Sequence, residues 1–408
     1  MKEMFRNRNF CFLFFANLFC GFGQGMTMIG ISWYLVESTG SASMLGTTML
    51  ISAMLTLLLS PFTGSIIDRV SRKKILQMEQ LGGFIVLALL SVWGFWGDYA
   101  QWMLVLIYLT ATFMFQIHEP TQAAFIQESF DFKQYSAINS LMEMQNQTAL
   151  VLAGAFAGYL LGPFGLHLVL LLNALTYLIA YLFVTKLDYL FPLKQQAQTL
   201  TKTSWMEHFL ESWVYIREKR GFLIFGVAAL IPFITVTAAN LLNPIFVSQT
   251  IRADVHIYSL GEVTYSAGAV ISGLLFPVLT RKMGASSYMV SHYLLMAVAF
   301  LLTVALPYGW IFVLLSTFLG GCNVSTRLVR QTLYMELVPN QFMGRIMSFF
   351  RSVGTLIRLA MLALFTLVLD STGAGMGYLS LASLLIMAAI GVALSMPALV
   401  THRIAEKR

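Results

Sequence analysis

Gly64-Ser65-Ile66-Ile67-Asp68-Arg69-Val70-Ser71-Arg72-Lys73-Lys74 lies between two apolar runs, and the reading of this segment decides the architecture. Its glycine permits close helix approach, its aspartate can act as a switchable partner for a helix N-terminus or an arginine, and its basic cluster holds the connection at an anionic leaflet. A plainer reading of the same residues is a short loop kept on the inner side of a membrane by charge alone. Either reading requires flanking segments that cross a membrane. Composition agrees: of 408 residues, 58% are hydrophobic and 11% charged, and the mean hydropathy is +0.76, too little polar surface for a soluble chain of this size.

A crossing needs about 20 mostly apolar residues, and twelve such segments follow, centred near residues 24, 54, 86, 115, 149, 177, 235, 270, 297, 323, 357 and 387. The formal charge of +7 is spread over short loops and forms no face for nucleic acid, so no nucleic-acid partner is expected. Lys2, Arg6 and Arg8 precede span 1; Arg69, Arg72, Lys73 and Lys74 follow span 2; Lys133 follows span 4. Arg281, Lys282, Arg345, Arg403, Lys407 and Arg408 fall in later even-numbered connections or at the C-terminus. The odd-numbered connections hold only Arg252, so the positive-inside rule places both termini in the cytoplasm. The N-terminal apolar run lacks a convincing cleavage site and reads as a retained span 1.

A long polar connection from Lys186 to Arg220 separates two sets of six spans, which predicts domains at 1–188 and 221–408 around a cytoplasmic linker at 189–220. In the linker, Ser204-Trp205-Met206-Glu207 is a capping-box pattern, and Trp205, Phe209, Trp213 and Ile216 recur at helical spacing. That pattern predicts an amphipathic helix on the inner leaflet, serving at least to link the halves. The halves also repeat. Gly64, Arg72, Lys73 and Gln122 recur at one constant offset as Gly273, Arg281, Lys282 and Gln331, and the same offset superposes His118 on Arg327. Such duplication of a six-helix unit is common in secondary transporters.

The Gly64 to Lys74 segment resembles the G-x-x-x-D-R-x-x-R-K-K signature of the major facilitator superfamily. The stretches Glu119-Pro120-Thr121-Gln122-Ala123-Ala124, Ala137-Ile138-Asn139-Ser140, and Gln331 to Tyr334 leading to Val338-Pro339 and Gly344-Arg345 are similar to its drug and siderophore exporter branch, which contains macrolide-efflux and enterobactin-exporter proteins. The resemblance covers the whole chain. It implies an all-α membrane protein of twelve transmembrane helices in two pseudo-symmetric six-helix bundles, proton-coupled export by rocking of the bundles, and a cavity lined by spans 1, 4, 7 and 10. The second-half copy departs from the signature, because Pro277 stands where Asp68 stands in the first, so a charge latch would be one-sided. In span 5, Gly154, Gly158 and Gly162 share a face suited to tight packing, and Gly162-Pro163 resembles the antiporter motif of related exporters.

Four arginines, Arg327 and Arg330 in span 10 and Arg351 and Arg358 in span 11, lie within apolar helices. A guanidinium at bilayer depth costs at least about 2.5–3.5 kcal/mol, so such residues mark a pathway, gate or counter-ion. Glu119 and Glu143 can pair two of them at most, which predicts free guanidinium forks for carboxylate or phosphate, helped by Gln122 and Gln331. Arg351 has a second reading as a latch partner of Asp68. Glu119, beside His118 in span 4, can carry a proton or pair statically with Arg327, while His118 alone can be a satisfied bundle histidine. Asn139, Glu143, Asn146 and Gln147 form a polar stripe that either extends the cavity or packs against span 8.

Cys11, Cys20 and Cys322 fall in spans without metal-ligand spacing, so small core roles and no metal site are expected. The sequence contains no G-x-x-x-x-G-K-[ST], H-E-x-x-H, C-x-x-C or G-x-S-x-G pattern. These readings converge on a non-enzymatic secondary transporter acting as a monomer, with no cofactor beyond the proton gradient. Its expected cargo is a small anionic metabolite such as a carboxylate siderophore; broad drug efflux and import of a ferric siderophore or organic anion are the alternatives. Membrane lipid is the other expected partner.

Overall fold

The computed structural model describes residues 4–131, 134–189, 216–217, 221–338 and 340–406. These residues are almost all helical, with no strand among them. The helices are α1 (Arg8–Thr39), α2 (Ala42–Arg69), α3 (Arg72–Gly94), α4 (Gln101–Ser129), α5 (Tyr135–Thr185), α6 (Phe222–Ala228), α7 (Ile231–Ile245), α8 (Val255–Met283), α9 (Ala285–Ala305), α10 (Gly309–Leu337) and α11 (Asn340–Glu406). The predicted amphipathic helix around Trp205 to Trp213 lies outside the described residues.

Local chemistry sets the helix ends. Asn7 caps α1 by accepting from the Phe10 N–H at 3.2 Å, and Gly40, at φ 64°, closes it in the left-handed conformation that costs glycine nothing. Ten segments among the described residues are long and apolar enough to cross a membrane. Two of them, in α5 and α11, are 45 and 49 residues long, about twice the length of one crossing. Each is interrupted by a glycine outside helical geometry, Gly165 at φ 74°, ψ 178° and Gly373 at φ 73°, ψ 164°. Each is therefore two helices joined at a kink, with length enough for two crossings.

Span 7 departs from a single regular helix. It runs from Phe222 to Ile251 as α6, α7 and a π-helical turn at Phe246–Ile251, and Arg252 follows at φ 57°. Pro232 explains the first break, because proline lacks the N–H that would donate to Ala228.

The chain separates into two compact units, one of Met1–Lys194 with Arg252–Val263 and the other of Gln195–Ile251 with Thr264–Arg408. In the first, α1 and α3 pack on α5. Gly23 cradles Asn173 and Thr176, and the Asn173 amide donates to the Thr27 hydroxyl at 2.7 Å. The glycine face of α5 does meet a helix: added Cβ atoms on Gly154 and Gly158 would press on Val263 and Ser259 in the first turns of α8. In the second unit α9 packs on α10 and α11, around the fully buried Tyr288, Tyr293, Phe300 and Tyr378. There α8 and α10 cross with backbones in contact, Gly268 against the Thr317 carbonyl and Gly320 against that of Tyr265.

The basic connection after α2 is stitched to its own unit. Arg72, only 9% exposed, donates to the carbonyls of Ile67 and, at 3.1 Å, Val70, and its other nitrogen meets Glu128 at 3.0 Å. Glu128 also accepts from the Tyr189 hydroxyl; burial first, and then this carboxylate, raise that phenol above its ordinary value, so it stays a donor. Lys73 donates to the Leu187 carbonyl at 2.7 Å. The side chains of Asp68 and Arg69, and the surroundings of Gly64, lie outside what is described.

Candidate functional site

Two polar assemblies stand out, one inside each unit. In the first unit, α1 presents Asn17 and Cys20 one turn apart on the same face, α3 presents Glu79 and Gln80, and α4 presents His118. The His118 Nδ1 lies 2.8 Å from Glu79 Oε1, and its Nε2 lies 3.1 Å from Asn17 Oδ1. The Asn17 amide nitrogen faces Met142 Sδ at 3.5 Å, which leaves its oxygen for the imidazole. Nε2 must therefore carry a hydrogen, because an amide oxygen only accepts. Nδ1 and a carboxylate oxygen at 2.8 Å also need a proton between them, held as imidazolium or as carboxylic acid. Gln80 Nε2 then donates to Glu79 Oε1 at 3.1 Å and faces Cys20 Sγ at 3.5 Å.

Three atoms of this region, Glu79 Oε2, Gln80 Oε1 and the Tyr177 hydroxyl, are buried without a hydrogen-bond partner among the described residues. Cys20, Glu79 and Gln80 are 3%, 5% and 0% exposed, so the cluster is enclosed. A buried carboxylate is tolerated only with compensation, and His118 supplies it.

Glu79 was not among the candidate residues read from the sequence. It stands two turns after Arg72, where an acid beside a basic loop looks solvated, and no spacing along the chain links it to His118. The one local hint is that an acid, Glu79, stands with Gln77 and Gln80 just before Gly82-Gly83 and the apolar run that follows. The fold thus adds a third intramembrane acid to the two recognised in the sequence and commits it to histidine. Glu119, next to His118, has an exposed side chain, and Gln122, one turn on, is half-buried. Glu143 is exposed and accepts from Gln147 at 2.9 Å, so part of the predicted stripe bonds to itself.

In the second unit the break in span 7 sets the geometry. Ala229 N–H donates to Phe225 at 2.8 Å and Leu230 N–H to Val227 at 3.0 Å, whereas Pro232 offers nothing to Ala228. Side chains from α9 and α10 serve the carbonyls near the break. The Tyr293 hydroxyl donates to Ala228 at 3.1 Å, an Arg330 terminal nitrogen donates to Ala229 at 3.1 Å, and the Tyr334 hydroxyl reaches Gly226 at a long 3.5 Å. Arg330 is half-buried, and Ala229 is its only hydrogen-bond partner among the described residues, which accounts for one of the five N–H groups of a guanidinium. Arg327, Gln331 and Arg351 have exposed side chains, and Arg358 is half-buried.

Residues 13–360 match the Major Facilitator Superfamily. The chain belongs to this superfamily. Macrolide efflux protein A of Streptococcus pyogenes is 22% identical over 382 residues, covering 90% of this chain and 93% of that one. The protein of the same name from Enterococcus faecalis is 22% identical over 309 residues, 74% of this chain and 92% of that one. Among solved structures, a nucleoside transporter superposes with a TM-score of 0.74 at 15% identity, covering 95% of this chain and all of that one. A D-xylose–proton symporter superposes with a TM-score of 0.71 at 12% identity, covering 94% and 96%. At such identities these structures show a shared fold and nothing about cargo. Within that fold, the His118–Glu79 cluster and the Arg330-capped break are features of this chain's own residues.

Proposed function

We propose that this superfamily member exports a small organic anion of the carboxylate-siderophore kind across the bacterial cytoplasmic membrane, by alternating access and in exchange for protons, with both termini inside. The observation that carries the reading is Arg330. An arginine within a span, fixed through one nitrogen to the Ala229 carbonyl and with further donors at hand, is held ready for a carboxylate and disfavours a cationic cargo. The relatives named for macrolide efflux support the export direction. They also favour a second reading, efflux of a macrolide-like drug, in which the span arginines are purely structural.

Everted vesicles separate the two readings. With labelled citrate as the model carboxylate, wild-type protein should accumulate it under an imposed pH gradient and lose it on adding a protonophore. The Arg330→Gln variant should fall at least tenfold, which corresponds to about 1.4 kcal/mol or more of lost transition-state binding, with partial recovery in Arg330→Lys. Citrate transport unchanged in Arg330→Gln, or erythromycin resistance conferred by a chain indifferent to carboxylates, would reject the anion assignment.

A further inference from the structure

The cluster in the first unit has more unsatisfied ligand atoms than a histidine–carboxylate pair needs. One atom each from Cys20, Glu79 and His118 (sulfur, carboxylate oxygen and imidazole nitrogen) all lie within 4.8 Å of one another. The cysteine spacing in the sequence gives no reason to expect a metal, because the three ligands come from α1, α3 and α4 and meet only in the folded unit. We infer that Cys20, Glu79 and His118 form a buried binding site for a borderline-soft divalent transition ion, of which Zn2+ and Co2+ are the representatives.

Four observations support this. First, the donor set of one thiolate, one imidazole and one carboxylate suits zinc-like ions and suits magnesium or calcium poorly, since those take oxygen. Second, Glu79 Oε2 is buried and unpartnered, and it belongs to the same carboxylate that faces His118, so a ligand oxygen is present with nothing else to do. Third, the His118 nitrogen turned away from the cluster donates to Asn17 Oδ1 at 3.1 Å. Second-shell bonds of this kind hold a metal-ligating imidazole in the correct tautomer. Fourth, Gln80 touches both Cys20 and Glu79 through its amide nitrogen while its oxygen is unpartnered, and rotating that amide by half a turn brings a fourth ligand oxygen to the same place.

Size and charge also agree. Around a tetrahedral zinc, with bonds of about 2.0–2.3 Å, the ligand atoms stand about 3.3–3.7 Å apart, so with every separation here within 4.8 Å none has to close by more than about 1.5 Å, which small rotations of Cys20 and Glu79 can supply. On binding, the thiol S–H bond breaks as the metal–sulfur bond forms, and the proton shared by His118 Nδ1 and Glu79 Oε1 leaves. Two protons go out for each ion that comes in. The net charge of the cluster is zero before, as a thiol with a proton-sharing pair, and zero after, as a divalent ion with thiolate, carboxylate and neutral imidazole. That neutrality permits burial inside a membrane bundle, where an uncompensated charge is costly.

The test uses the full-length, tag-free protein in detergent, with Co2+ and Zn2+ as the probes. Equilibrium dialysis should retain one Co2+ per chain, with the intense thiolate-to-cobalt charge-transfer band and tetrahedral ligand-field bands, and two protons should be released to a weakly buffered medium. Zn2+ should displace the cobalt and bleach the bands. Cys20→Ser should lose the charge-transfer band, and His118→Asn should lower retention at least tenfold. Glu79→Gln, nearly isosteric, guards against misfolding, since a monodisperse variant without metal binding still reads the site. Absence of retained cobalt in the wild-type protein would show that the pair holds only its proton. A band that persists in Cys20→Ser would place the metal elsewhere, at Cys11 or Cys322, and either result overturns the proposal. Neither outcome bears on the anion assignment, which is read from vesicle transport.

Discussion

Consider alanine at Gly268 and, separately, at Gly273, five residues further along the same helix α8. A Cβ on Gly268 would run into the backbone carbonyl of Thr317 in α10, and the reciprocal Gly320 is blocked by the carbonyl of Tyr265. Backbone atoms cannot rotate away as a side chain can, so α8 and α10 must separate, and overpacking of this kind costs about 1–3 kcal/mol or more. A Cβ on Gly273 meets nothing within 4 Å. There the substitution should stabilise by about 0.5–1 kcal/mol through helix propensity alone. The two variants should thus differ by roughly 1.5–4 kcal/mol, or about 3–16 °C in melting temperature for a unit of about 200 residues. Tryptophan fluorescence during heating of the detergent-solubilised variants reads this directly. Equal melting temperatures for Gly268→Ala and Gly273→Ala would refute the argument that backbone contact fixes the α8–α10 crossing.

Two further perturbations probe the other assemblies. Tyr293→Phe leaves the Ala228 carbonyl buried without its donor, at a cost of about 1–3 kcal/mol, and should speed amide hydrogen exchange at the α6–α7 junction; unchanged exchange would show that the hydroxyl is not the cap. Glu128→Gln weakens one arm of the Arg72 anchor while the Ile67 and Val70 carbonyls still accept from that guanidinium, and should destabilise by about 1 kcal/mol, whereas Arg72→Met also strips those two carbonyls of their donor and should cost more, about 3 kcal/mol. An Arg72→Met variant that melts with Glu128→Gln would contradict this.

The membrane fold was legible because a bilayer leaves few choices. Apolar runs, basic loops and the Gly64 to Lys74 segment required helices wherever the chain crossed, and even the breaks at Gly165 and Gly373 coincide with the short gaps between predicted spans. The break inside span 7 was less visible. Pro232 marks it, but Tyr293 and Arg330, the residues that make the break tolerable, lie far along the chain, and sequence alone left Arg330 as one excess cation among four.

The candidate sites divide in the same way. Composition and periodicity determined that the chain makes repeated apolar passages and which residue types are anomalous inside them, since burial of backbone and charge in hydrocarbon is a local requirement on each helix. Only tertiary structure decided the partners. Whether His118 meets Glu79 or the adjacent Glu119, and whether Cys20 stands alone or beside a carboxylate and an imidazole, depends on the rotation and depth at which three separate helices pack. That is a matter of side-chain interdigitation between segments distant in the chain, which no residue spacing encodes.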